Sequence, residues 1–352
     1  MMTPKSTNSK RTTSQDVARL AGVSRSVVSA VLNGTPGIGV GEQTREKVLE
    51  AIRQLDYHVD ARARGMKTGR SMTLAAFGDT GHPLFMRLLE GMQRAGEAQG
   101  YHLLLSSPGR GKPGEARAEL LELYHQRRID GIVTLDDTSY ADPEWAERIR
   151  AIGVPYVSVE GYAETENIHS VHADYRGSIE TALDYLRAKS PRSVSAPEYA
   201  EVFSASHGGR INEAERQRRQ GYEDWCRRHG LQPAVSRHLQ QADRVDWTGW
   251  CQRRSGRKQA PPVLVNWSSA VPDLYRAART CGLTVGGDLR VMAADNTIQG
   301  DVLSVPTLSC VEIPYAAMGE AAVAGVLRQA QGESGSPSKL RLPALLKPGE
   351  SA

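Results

Sequence analysis

The side chains best suited to chemistry in this 352-residue chain are basic ones gathered at one end. Residues 1–70 hold twelve Lys/Arg (5, 10, 11, 19, 25, 45, 47, 53, 62, 64, 67, 70) against six Asp/Glu (16, 42, 46, 50, 56, 60), an excess of six positive charges. The whole chain is only +4, so everything after residue 70 sums to −2. A positive field confined to one stretch suits a phosphate-bearing partner such as nucleic acid; a solvated basic face is the plainer reading. Candidates for catalysis are thinner. Asp136-Asp137 offers paired carboxylates and nine histidines are scattered along the chain, yet Gly-x-Ser-x-Gly, a phosphate loop and His-Glu-x-x-His are all missing. Cys226, Cys251, Cys281 and Cys310 form no Cys-x-x-Cys pair, which predicts free thiols rather than a zinc site or disulfides. The expectation is a protein that binds rather than an enzyme, with no metal and no cofactor.

Apolar spacing supplies the elements that must position these groups. Residues 1–12 are polar and basic without a period, and predict a disordered arm. Thr13-Ser14-Gln15-Asp16 opens a helix through a hydroxyl cap and an acid three residues on, with Val17, Leu20 and Ala21 on its apolar face. Gly22 ends it, Val23 turns inward, and Ser24 caps a second helix that Asn33-Gly34 stops. A third helix runs from Glu42 with Val48, Ile52 and Leu55 on one side. Two short helices joined by Gly22-Val23 make a helix-turn-helix.

Beyond Ser71 strands and helices alternate. Strands are expected at Thr73–Phe77, Tyr101–Leu105, Gly131–Leu135, Pro155–Val159, Ala200–Phe203, Pro262–Asn266, Leu289–Ala293 and Leu308–Glu312. Helices are expected at Leu84–Gln99, Glu115–Gln126, Gly177–Lys189 and Asn212–His229. This predicts an all-α headpiece followed by an α/β domain of doubly wound parallel sheets. The alternating stretch is longer than one sheet needs, which implies two lobes and a ligand cleft beyond the strand C-termini. No apolar run approaches about 18 residues, so no membrane span is expected. The opening residues lack a secretory apolar core, and the expectation is a cytoplasmic protein.

Ser14-Gln15-Asp16-Val17-Ala18-Arg19-Leu20-Ala21-Gly22-Val23-Ser24, continued by Val28-Ser29-Ala30-Val31-Leu32-Asn33-Gly34, resembles the DNA-binding signature of the LacI/GalR (lactose/galactose repressor) family of transcriptional regulators. His82-Pro83-Leu84-Phe85, Arg218-Arg219-Gln220-Gly221-Tyr222, Asp295-Asn296 and Pro306-Thr307-Leu308-Ser309 follow in the family's order. The resemblance implies a DNA-binding headpiece at 13–58, a hinge at 59–70, and an effector-binding, dimerising domain of periplasmic-binding-protein type at 71–346. Its lobe 1 spans about 71–189 and 315–342, its lobe 2 about 190–312. It implies a transcriptional repressor that binds a pseudo-palindromic operator in double-stranded DNA as a homodimer. Its affinity would be set by a small-molecule effector, a sugar or glycoside, in the interlobe cleft. A protein corepressor acting on the same fold, and a plain small-molecule binding protein, stand as alternatives.

Carried over residue by residue, the family pattern puts Arg25, Ser26 and Ala30 against base edges. Arg25 suits bidentate contact with guanine, worth roughly 1–3 kcal/mol of discrimination. Ala30 offers only apolar contact where an arginine is frequent. Ser14, Ser24, Ser29 and Asn33 would hold phosphates. Arg62, Ala63 and Met66 fall on the hinge segment that meets the minor groove, with Met66 at the wedge position. Leu84 and Phe85 would form one cleft wall, Arg218 and Asn266 the other, with Asp295 near the crossover and Trp247 as the stacking platform for a sugar ring. Two departures point to a more apolar pocket and a glycosidic or aromatic ligand. Trp267-Ser268 follows Asn266, and Ile313 replaces a usual glutamine. No leucine heptad follows Leu346, which favours a dimer over a tetramer.

Overall fold

The computed structural model describes residues 12–33, 39–58, 69–108, 113–165, 167–190, 195–204, 211–242, 244–256, 260–333 and 336–352. The chain divides into two compact units, Met1–Ser71 and Met72–Ala352. Residues 1–11 of the arm expected over 1–12, Gly34, and the hinge positions Arg62, Ala63 and Met66 lie outside the described residues.

In the first unit the helices are α1 (Ser14–Ala21), α2 (Arg25–Asn33) and α3 (Glu42–Gln54). The Thr13 hydroxyl accepts from Asp16 N at 3.4 Å while the Asp16 carboxylate accepts from Thr13 N at 2.9 Å, a reciprocal capping box that fixes where α1 starts. Gly22 ends it with φ +66, a left-handed conformation in which a side chain is strained. The turn packs Val23 inward and leaves Ser24 to cap α2, its Oγ accepting from Val27 N at 3.4 Å. Val17, Val28 and Val48, one from each helix, are fully buried and meet Ala18, Val31 and Ala51 in a small core. Each buried valine stabilises by about 1.5–3 kcal/mol over an exposed one.

The second unit carries strands β1 (Thr73–Phe77), β2 (His102–Ser106), β3 (Gly131–Leu135), β4 (Tyr156–Val159), β5 (His169–Ala173), β6 (Glu198–Ser204) and β7 (Ala234–Gln241). After them come β8 (Arg244–Val245), β9 (Val263–Val265), β10 (Val291–Ala293), β11 (Ser309–Glu312), β12 (Lys339–Leu342) and β13 (Leu345–Lys347). They form two sheets, ordered β12-β5-β4-β3-β1-β2 and β13-β11-β10-β9-β6-β7-β8. Pairing is parallel except where β13 meets β11 and β8 meets β7. Strands such as β4 and β9 are buried at every position, as expected when helices cover both sheet faces. The order reverses beside β1 in the first sheet and beside β6 in the second, so the loops leaving those strands diverge and open a crevice at their C-terminal ends.

Helix Tyr315–Ala330 lies against helix Pro83–Glu97 so closely that a Cβ on Gly319 would sit 2.3 Å from the Leu88 carbonyl oxygen. Glycine is what permits that approach, and the contact anchors Tyr315 at the head of its helix. Thr73–Phe77 and Gly131–Leu135 coincide with the expected strands. β5 was not expected, because its two histidines interrupt the apolar pattern. His172 is buried beside Ser170, 2.7 Å from Nε2 to Oγ, and burial pulls its pKa down to about 4, so the ring is neutral inside the sheet. After Leu342 the chain crosses into the second sheet through β13. No helix of the described residues is long and apolar enough to cross a membrane.

Candidate functional site

In the first unit Arg25 and Ser26 are exposed on the opening turn of α2. Ser24 and Ser26 face each other at 2.6 Å between hydroxyls, so Ser24 is occupied both as a cap and as a partner of Ser26. Ser14 and Ser29 are half-buried, and Asn33 closes α2 with its side chain outside the described residues. Ala30 departs from expectation. It is 5% exposed, because a methyl this short stays in the shadow of neighbouring turns rather than standing out for a base edge.

In the second unit a cavity of about 460 Å³ lies between the lobes, at the C-terminal ends of the strands. Arg218 dominates it. The side chain rises from the second turn of helix Glu213–Arg228 and is fully buried. Its guanidinium lies 4.2 Å from the Trp267 ring centroid and 5.0 Å from that of Tyr175. Nη1 donates to the Asn266 carbonyl at 2.8 Å, while Nε and Nη2 have no hydrogen-bond partner. Among the described residues no carboxylate forms an ion pair with it. A buried guanidinium with two free donors, held flat by two rings, is pre-set to take oxygen atoms of a ligand.

Facing it just past the end of β4 is Glu160, which is 2% exposed and lies in the left-handed region at φ +71. Its Oε1 accepts from Tyr175 Oη at 2.7 Å and from Tyr315 Oη at 3.3 Å. Burial pushes the Glu160 carboxyl up to about 7, although Tyr175, a backbone amide, Tyr315 and the Arg218 charge all pull the other way. The same burial holds both phenols well above their ordinary pKa, so they remain donors. Bonds across the lobes hold the cleft closed: Arg87 Nη2 donates to the Asn296 carbonyl at 2.8 Å, and Glu213 N donates to Ser139 Oγ at 2.9 Å.

Leu84, Arg218 and Asp295 line this cavity as expected from the sequence. Asp295 is the least available of the three, because Ser268 and Thr297 donate to its carboxylate through both backbone and hydroxyl groups. Three expected residues do not line it. Phe85 is fully buried in the first lobe's core. Asn266 spends its side-chain amide on the backbone of Val202, accepting from its N at 2.8 Å and donating to its O at 2.9 Å, in effect extending the pairing of β9 with β6. Trp247 is 1% exposed, packs on His238 with ring centroids 3.9 Å apart, and donates to the Ala270 carbonyl at 3.2 Å. It is a core residue of the second lobe. The aromatic platform of the cleft is Trp267, which the sequence offered as a sign of a more apolar pocket while the stacking role went to Trp247; its Nε1 is held by Glu215 at 2.9 Å. Glu160 and Tyr315 carried no sequence signal, since chemistry arises only where the turn after β4 meets the start of helix Tyr315–Ala330.

Residues 13–60 match the family model for bacterial regulatory proteins of the lacI family. Residues 72–245 match periplasmic binding proteins and the sugar binding domain of the LacI family, and 200–352 match a periplasmic binding protein-like domain. The transcriptional regulator MalR of Streptomyces coelicolor is 28% identical over 327 residues, covering 90% of each chain. Catabolite control protein A of Staphylococcus epidermidis is 27% identical, covering 80% of this chain and 82% of that protein. Among solved structures, the lac repressor dimer bound to operator and an anti-inducer matches 97% of this chain and 99% of its own, with a TM-score of 0.71 at 22% identity. The regulator CelR in complex with cellobiose matches 97% and 100%, with a TM-score of 0.61 at 22% identity. At that identity the two structures establish the shared fold.

Proposed function

The chain belongs to the lacI family of bacterial regulatory proteins and is a DNA-binding transcriptional regulator, and from that premise we propose that it is a dimeric repressor whose hold on a pseudo-palindromic operator is controlled by a sugar or glycoside bound in the interlobe cleft. The observation that carries the effector half is Arg218, a buried cation stacked between Tyr175 and Trp267 with two donors unsatisfied. Ring stacking on Trp267 and hydroxyl contacts to Arg218 and Glu160 are what a sugar site requires. Glycan ligands are also consistent with relatives such as CelR, whose structure holds cellobiose.

The DNA half rests on exposed Arg25 and Ser26 at the start of α2, placed to read base edges while Ser14, Ser24, Ser29 and Asn33 hold phosphates. Arg62, Ala63 and Met66 would complete the contact in the minor groove. Dimerisation is supported by Val302, Leu303 and Val305, which are 73%, 69% and 92% exposed beside an apolar groove lined by Val271, Tyr275 and Ile298. A second copy would bury such a patch. The test is selection of binding sites from a random DNA pool with wild type and Arg25→Ala. Wild type is expected to enrich a two-fold symmetric site, and Arg25→Ala to lose preference at one base pair per half-site by about 1–3 kcal/mol. An unchanged base preference contradicts the reading role of Arg25, and failure to enrich any site contradicts the DNA function.

A further inference from the structure

The first lobe encloses a second space, of about 590 Å³, at the C-terminal ends of β1 and β3. It meets the cleft along Asp79 and the Leu135–Asp137 turn, which line both, and continues to Arg117, Tyr140 and Trp145. Arg117 projects from helix Pro113–His125 with its side chain only 9% exposed. It pairs with Asp136, whose other oxygen accepts from Thr134 at 2.6 Å and Ser158 at 2.7 Å. The guanidinium lies between Phe77 and Tyr140, 4.8 Å and 4.5 Å from their ring centroids. Its Nη1 has no hydrogen-bond partner. A buried guanidinium donor left unsatisfied beside a large space is an acceptor site waiting to be filled.

The surroundings narrow what fills it. Carboxylates at Asp79, Asp136, Asp137, Asp142 and Glu144 face only two guanidiniums, Arg117 and Arg148, so an anionic ligand is repelled. The Asp79, Asp137 and Glu144 side chains are exposed at the rim, where they can accept from hydroxyls. The half-buried Tyr140 ring supplies an apolar face. Donors inside, acceptors at the rim and a ring between them fit an uncharged polyhydroxyl ring.

We infer that this space is a second sugar subsite, and that the effector is a neutral oligosaccharide with one ring in the cleft beside Trp267 and the next against Tyr140. This deepens the effector reading above and rests on it. The shared wall at Leu135–Asp137 sets the path between the rings, so recognition of the second ring falls to residues of the first lobe alone.

Calorimetric titration of the full-length protein with glucose, maltose, cellobiose and maltotriose tests it, using wild type and Tyr140→Ala. Tyr140 lines the second space but not the cleft. At least one two-ring sugar should bind wild type about tenfold more tightly than glucose, and Tyr140→Ala should remove that advantage while changing glucose binding less than about twofold. Arg148→Ala, at an exposed rim position, is the second variant should Tyr140→Ala fail to fold, and should weaken the same two-ring sugar by about threefold. Glucose binding as tightly as its oligomers, with both variants silent, overturns the second subsite and leaves the cleft reading intact. Absence of binding by any of the four sugars overturns both.

Discussion

Arg117 in the first lobe and Arg218 in the second are built alike and used differently. Each rises near the start of a helix at a cleft-facing sheet end, and each is pressed between two aromatic rings. Arg117 has a carboxylate in contact, Asp136; Arg218 has only the Asn266 carbonyl. Burying a charge without a counter-ion costs several kcal/mol, of which cation–π contact returns about 2 per well-placed ring. The paired arginine keeps its charge balanced whether or not a ligand fills its one spare donor, whereas the unpaired one is tolerable only if something else regularly supplies its acceptors. Glu160 is near enough to feel the Arg218 charge yet stays close to half-protonated at neutral pH, so it does not fill that role.

A similar contrast, between a core residue and one facing the ligand, separates the two tryptophans and gives the largest expected effect. Trp247→Ala should lower the stability of the second lobe by about 3–5 kcal/mol, because it empties a core position. Trp267→Ala should cost less, about 2 kcal/mol through the lost ring contact with Arg218, but weaken saccharide binding about tenfold or more. Denaturant unfolding paired with calorimetry reads both. Equal stability losses would collapse the distinction.

Glu160 sharpens the contrast through pH. Its folded pKa, about 7, stands above the ordinary 4.5, so between those values the folded protein holds a proton that the unfolded chain has released. Stability from this group therefore falls as pH rises from 4.5 to 7 and is level outside that window, a span of up to about 3 kcal/mol. Glu160→Gln should remove the slope, gaining on wild type in melting temperature between pH 5 and pH 8. His172 and His238, both pulled down to about 4 by burial, slope the opposite way between 4 and 6.5 and cancel in the comparison. Parallel melting curves for the two proteins would contradict the raised pKa of the Glu160 carboxyl. The smallest effect belongs to the headpiece, where Thr13→Ala should cost about 1 kcal/mol by losing the capping box, read as faster amide exchange in α1.

The headpiece was legible because its signals are local. Thr13 with Asp16, Gly22 and Ser24 each act within one turn, and the helices follow from them. The cleft is assembled from residues more than a hundred positions apart, and only part of it could be read. Arg218, Leu84 and Asp295 were found by resemblance of order, but nothing in the sequence says which of Trp247 and Trp267 is covered. That depends on His238 and Ala270 closing over the first, while the second is left partly open beside Arg218. Asn266 looked like a ligand contact because amides suit hydroxyls, yet its side chain completes the sheet at Val202. Glu160 escaped notice because its meaning comes from two tyrosines on other elements.

The most direct measurement is fluorescence anisotropy of wild type and Arg218→Met on a DNA site recovered by selection, with and without whichever of maltose and cellobiose stabilises wild type more. Wild type should change its DNA affinity about tenfold or more when the sugar is added. Arg218→Met, which keeps bulk but loses the charge and its bond to the Asn266 carbonyl, should bind the same DNA within about twofold and ignore the sugar. A variant that still answered the sugar as wild type does would contradict the assignment of Arg218 as the effector's anchor.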